Sequence, residues 1–213
     1  MLIEGQRRAA TAAALAIIFA FACGEEFSSR EASGQGGGSS MASSSRATGG
    51  PGGGAPMCEG FGDACTNCTA AACPEYACGC WENAACLGIY DCYGQVCPGG
   101  IDTPCSKYCF ATHGGGISLA VLWGNCASTL CPTECSAMTT TPLTPCQECI
   151  YDGCGSAMNE CLSSAPCFDY LACATACGDD GPCLQNCANS YPTGIPLADA
   201  IQQCALQTCP NCN

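Results

Sequence analysis

Cysteine is the residue type that dominates this chain, and its spacing decides which chemistry it serves. There are 27 cysteines in 213 residues. Thiols in that number support structural disulfides, soft-metal binding or thiol–disulfide exchange. Soft thiolates suit zinc or copper(I). Cys78-Gly79-Cys80 is the sole C-x-C, however, and C-x2-C is confined to Cys65/Cys68, Cys146/Cys149 and Cys209/Cys212. An exchange enzyme places C-x-x-C at a helix start within a βαβ setting, which lowers the thiol pKa. No such setting is visible. A disulfide framework is left, and such frameworks belong to exported chains because cytosolic thiols are kept reduced.

Other groups are poorly placed for catalysis. His113, in FATHGGGIS, is the only histidine. A triad needs a base held against a nucleophile. The 14 acids of residues 58–213 show no spacing that singles out a catalytic pair. The calcium loop and His–Asp constellation of secreted phospholipases are missing. Asp179-Asp180-Gly181 offers carboxylates to a calcium ion, but they suit the dipole of a helix starting near Pro182 better. Trp81, Tyr90, Tyr93, Phe110, Trp123, Phe168 and Tyr170 either line a binding face or pack inside. Most stand beside cysteines, which favours packing. No catalytic residue, metal site or cofactor is assigned.

Charge and hydropathy narrow the partners. The net charge is −13, and Lys107 is the only Lys or Arg in residues 58–213. No basic patch exists to neutralise phosphates, so nucleic acid is excluded as a partner. The same 156 residues contain 10 Leu, 6 Ile, 2 Val and 3 Phe. That is below the ~20% at which a chain usually has enough large apolar residues to fold. Cross-links supply the shortfall, at roughly 2–4 kcal/mol each.

The chain divides by composition. Residues 1–22 read as an export signal: MLIEGQRR carries two arginines, and AATAAALAIIFAFA is an apolar run of 14 residues. A membrane-spanning helix needs ~20. Residues 23–57 are a Gly/Ser-rich flexible tether, with a reach of roughly 30–35 Å. From Cys58 onward the sequence is duplicated. Cys65, Cys68, Cys73, Cys80, Cys86 and Cys92 each match a cysteine 81 residues on; Cys97 matches at 80; Cys105, Cys109, Cys126 and Cys131 at 78; Cys135 at 77. Gly116-Ile117-Ser118-Leu119-Ala120 aligns with Gly194-Ile195-Pro196-Leu197-Ala198. His113 aligns with Tyr191, so the duplicate lacks it. Repeat 1 spans 58–137, a Thr/Pro linker 138–145 and repeat 2 146–213. Cys58 and Cys78 have no counterparts and are expected to pair with each other, which leaves Cys23.

The elements that position these cysteines are helical. Leu119, Leu122, Trp123, Cys126, Ala127 and Leu130 follow a helical period, as do their counterparts in repeat 2. Pro196 suits a first turn and Ser118 a cap. CATACGDDGPCLQNC carries C-x3-C on both sides of a short turn. Antiparallel helices there pair Cys177–Cys183 inside and Cys173–Cys187 outside. The first repeat offers Cys97–Cys105 and Cys92–Cys109. This arrangement resembles helical-hairpin peptides with twin C-x3-C motifs, a resemblance that implies scaffold and no activity. Twelve cysteines allow on the order of ten thousand pairings, so the rest stay open. The expected fold is all-α, small and disulfide-rich, with two tandem helical repeats behind a signal peptide and a disordered tether.

Ala20-Phe21-Ala22-Cys23-Gly24 resembles a bacterial lipobox, with small residues at Ala22 and Gly24. The resemblance implies lipidation of Cys23. An odd thiol in an exported chain needs a separate use, which agrees. Acyl chains contribute about 0.8 kcal/mol per buried CH₂, so several of them anchor stably. No Asp follows Cys23, so by the same resemblance nothing retains the chain at an inner membrane. Signal, lipobox, tether and duplicated module together resemble the cysteine-rich lipoproteins of myxobacteria and related soil bacteria. That resemblance implies a cell-envelope location, an outer-membrane lipoprotein facing the periplasm or the cell surface, with plain secretion as the alternative. The expected function is a lipid-anchored surface protein with a structural or binding role toward an unidentified protein or glycan. The alternatives are an extracellular hydrolase and a soft-metal thiolate protein.

Overall fold

The computed structural model describes Cys58 and residues 62–97, 103–136 and 142–212. The export signal, the tether and Cys23 lie outside them. The described residues form helices and no strand. The first repeat contains α1 (Ala64–Ala72), α2 (Pro74–Glu82), α3 (Ala84–Val96), α4 (Thr103–Thr112) and α5 (Ile117–Leu130). The second contains α6 (Pro145–Gly153), α7 (Gly155–Ser163), α8 (Ala165–Cys177), α9 (Gly181–Ser190) and α10 (Ile195–Thr208).

Short polar side chains start many of these helices. Asp63 accepts the Thr66 N–H at 2.9 Å and the Thr66 hydroxyl at 2.8 Å, which also lowers its pKa. Asn83 caps α3 through the N–H groups of Ala85 and Cys86. Thr144 and Gln147 form a reciprocal capping box on α6, followed by Pro145 at the first helical position. Asp180 accepts the Cys183 N–H at 3.2 Å and so serves the α9 terminus. Pro196 stands in the first turn of α10.

Ser118 does not cap α5. The helix begins one residue earlier, at Ile117, and Gly116 holds the cap position without a side chain to offer. The cap comes instead from the other repeat. Asn159 on α7 accepts the Ser118 N–H at 2.8 Å and the Ser118 hydroxyl at 3.0 Å, and donates to the Gly115 carbonyl at 3.3 Å. Replacing Asn159 with alanine orphans the Ser118 N–H at a buried helix start. The expected loss is about 1–2 kcal/mol. Urea unfolding of Asn159→Ala measures it, and a loss within ~0.3 kcal/mol of zero would contradict the cap.

The repeats share a core. One buried cluster runs from Ala77, Ile89, Phe110 and Trp123 of the first repeat to Ile150, Met158, Phe168 and Ile201 of the second. The joint is directional: α4, the 3₁₀ turn Gly114–Gly116 and α5 pack on α6 and α7. Such head-to-tail joints leave two open ends that invite further copies. The sequence closes both. Position 122 is a buried Leu in repeat 1, but its counterpart 78 residues on is exposed Ala200, next to exposed Asp199. The counterpart of Ser118 is Pro196, which has no N–H to be capped. At the opposite end the Asn159 position is Cys78, bonded to Cys58. Terminal units of repeat arrays are modified in this sense.

Candidate functional site

Thirteen disulfides join all 26 cysteines of residues 58–212. The pairs read from sequence are all joined, with Cα–Cα distances of 5.5 Å for Cys58–Cys78, 5.7 Å for Cys92–Cys109, 6.0 Å for Cys97–Cys105, 5.7 Å for Cys173–Cys187 and 5.5 Å for Cys177–Cys183. The pairings that spacing left open follow one plan. Cys65–Cys135, Cys68–Cys131 and Cys73–Cys126 tie the first helix of the repeat to its last. Cys146–Cys212, Cys149–Cys209 and Cys154–Cys204 repeat the three rungs. Cys80–Cys86 and Cys161–Cys167 cross the α2–α3 and α7–α8 corners. Every bridge of the first repeat except Cys58–Cys78 therefore has an equivalent in the second.

The rungs connect residues 50 to 70 apart in sequence. Nothing local in the chain signals such closures. The match of Cys126, Cys131 and Cys135 to Cys204, Cys209 and Cys212 hinted at a conserved role for these positions, without naming their partners.

The hairpins crowd sulfur. Cys97, Cys105 and Cys109 bring their Sγ atoms within 4.8 Å of one another, as do Cys173, Cys177 and Cys187. Each of these atoms is already bonded to another sulfur. A disulfide sulfur has no thiolate charge to give a soft metal, so neither trio is a metal site while oxidised.

The aromatic residues occupy the core rather than a binding face. Trp81 and Trp123 meet edge to face at 6.1 Å, and Tyr90 meets Trp123 at 4.6 Å. Tyr93 packs on Phe110, and Phe110 on Phe168 across the repeat boundary. The Tyr90 hydroxyl donates to the Ala120 carbonyl at 2.7 Å. Burial raises the pKa of Tyr90 and of Tyr151, and pushes Tyr93 up to about 12 against a hydrogen bond from Ser106. Tyr170 is half-buried, and its pKa is raised by burial and by Asp199. Tyr108, not singled out from sequence, is the exposed aromatic ring among the described residues, at 57%.

His113 is half-exposed and its ring lies against the Gly88 backbone. That is a packing contact, not a base held on a nucleophile. Lys107 pairs with Asp169 of the second repeat at 2.6 Å and 2.7 Å. The only cation of residues 58–213 is thus held in the joint between repeats, and among the described residues the remaining acids are exposed except half-buried Glu148.

These features define a small, all-helical, disulfide-stapled protein of an oxidising extracytoplasmic compartment. Among the described residues no helix is long and apolar enough to cross a membrane. No protein-family model, curated protein or solved structure matches the chain.

Proposed function

We propose that the chain is a lipid-anchored protein of the bacterial cell envelope, tied at Cys23 and presenting an acidic, cross-linked module with a structural or binding role. The disulfide count supports this reading. The 26 cysteines of residues 58–212 pair among themselves, so any partner of Cys23 must be something other than those cysteines. An acyl group is the partner that its Ala22-Cys23-Gly24 context favours. A second chain or a small thiol are the other chemistries open to it.

On this reading residues 23–57 serve as a tether whose expected reach, roughly 30–35 Å from its Gly/Ser composition, would hold the module beyond the ~8 Å over which charges on an anionic surface are felt at physiological salt. An acidic module tolerates that distance. Dense cross-linking suits it to a compartment containing proteases, because cleavage needs locally opened chain. The ligand class that fits the uncompensated acids is cationic or neutral: a basic protein segment or an uncharged glycan.

Metabolic labelling with an alkyne fatty acid tests the anchor. The wild-type chain is expected to take up label and to sediment with membranes. Cys23→Ala is expected to lose both. Equal labelling of the two chains would remove the lipid anchor from consideration.

A further inference from the structure

Two disulfides touch within the second hairpin. Cys177 Sγ lies 3.4 Å from Cys187 Sγ, although the two atoms belong to different bridges. The first hairpin also gathers sulfurs of two bridges, but a different trio: Cys97 and Cys105 of the inner bridge with Cys109 of the outer one. Exchange requires a thiolate beside a disulfide sulfur. Once Cys177 is a thiolate it is in contact with Cys187 Sγ; because Cys173 Sγ is also within 4.8 Å of the cluster, rotation of the Cys177 side chain is what brings it in line with the Cys187–Cys173 bond.

The order of events follows from exposure. The Cys177–Cys183 bridge flanks the turn of exposed Asp179 and Asp180, and both of its cysteines are partly exposed. Cys187 is 1% exposed. An external thiol therefore finds both sulfurs of the inner Cys177–Cys183 bridge open to it, whereas the outer bridge offers only Cys173. Cys183 sits in the first turn of α9, where the helix N-terminus stabilises a departing thiolate.

We propose that the Cys173, Cys177, Cys183 and Cys187 ladder is a thiol–disulfide exchange site whose substrate is a dithiol. One thiolate of the dithiol attacks Cys177 Sγ. The Cys177–Cys183 bond breaks and its electron pair leaves on Cys183. The second thiolate attacks the substrate sulfur of the mixed disulfide, so the substrate departs as its own disulfide and Cys177 is released as thiolate. Two electrons have passed to the protein. Cys177 then attacks Cys187 Sγ. The Cys177–Cys187 bond forms, the Cys173–Cys187 bond breaks, and Cys173 leaves. The two protons of the dithiol finish on Cys183 and Cys173. Cys187 stays bonded in the starting and final states, so α8 and α9 remain joined while the break moves along the ladder. No C-x-x-C is needed, because contact between bridges does what a resolving cysteine does elsewhere.

The test uses the full chain with dithiothreitol as the dithiol. Limited reduction is followed by alkylation and mapping of the remaining bridges by mass spectrometry. The expected product has Cys173 and Cys183 alkylated and a Cys177–Cys187 bridge, with helical circular dichroism retained. Its rate of appearance rises about tenfold per pH unit below ~8.5, where the thiolate fraction is limiting. A second chain, Cys183→Ser, leaves Cys177 without its partner and is expected to hold Cys173 free in part of the population before any reductant is added. The proposal is overturned if alkylation falls on Cys177 and Cys183 alone at every pH. It is also overturned if helicity is lost before the Cys177–Cys183 bridge opens. Should Cys183→Ser fail to fold, the limited reduction of the native chain decides by itself.

Discussion

A Gly194→Ala chain is expected to unfold with about 3 kcal/mol less free energy than the parent and to melt roughly 10 °C lower. Gly194 has φ −80°, a conformation open to any residue, so the effect is not one of backbone freedom. It is steric. A Cβ at this position would stand 2.9 Å from Cys167 Cα and nearer still to the Pro166 carbonyl. Those are backbone atoms at the start of α8, and the Cys161–Cys167 bridge pins them from the other side. Neither neighbour can rotate away. Gly116 makes the equivalent approach to Ala85 and Cys86 at the start of α3. Gly181→Ala is the control, since nothing lies within 4 Å of a Cβ there. Its effect should stay within ~0.5 kcal/mol. Thermal scans of both variants with disulfides intact provide the comparison. A Gly194→Ala chain as stable as Gly181→Ala would mean that the last helix is not seated on α8 as described.

Phe168→Ala is expected to cost about 3–5 kcal/mol, the range for deleting a fully buried aromatic side chain. Phe168 is 0% exposed on α8 and meets Phe110 of the first repeat at 6.2 Å. The adjacent Asp169 holds Lys107. The deletion therefore opens a cavity at the boundary between repeats, next to the charge pair that fixes their register. Disulfides close each repeat on itself, but none joins one repeat to the other. Cohesion of the two halves thus rests on packing and on a few polar contacts. The parent chain is expected to unfold in one transition because its core is continuous. Phe168→Ala is expected to split or broaden it. Calorimetry reads both quantities: the ratio of calorimetric to van't Hoff enthalpy should be near 1 for the parent and should rise in the variant.

The one-transition expectation rests on the shared core of the two tandem cysteine frameworks. Each framework is closed on itself, but repeat 1 buries Leu122 and Ser118 where repeat 2 exposes Ala200 and carries Pro196. Those differences are visible in the aligned sequence. Their meaning is not, because only the packed pair reveals which face of each repeat is covered.

Cysteine spacing by itself determined the helical class, the duplication and the hairpin bridges, but not the corner bridges Cys80–Cys86 and Cys161–Cys167, which are just as local. C-x3-C pairs flanking a short turn leave few ways to join, since loop closure over six to fourteen residues is governed by nearby geometry. Composition by itself determined the acidic surface and the need for cross-links. The three long rungs of each repeat were beyond reach, because sequences that differ little can close 50 to 70 residues in many ways of similar entropy. The Asn159 cap was equally hidden: a helix start whose partner lies 41 residues away carries no local signature. Contact between the inner and outer bridges of a hairpin was decided last of all. Spacing places two disulfides one turn apart, but side-chain rotamers and the packing of α8 on α9 bring Cys177 against Cys187, and that distance separates a plain staple from a site where bonds can be exchanged.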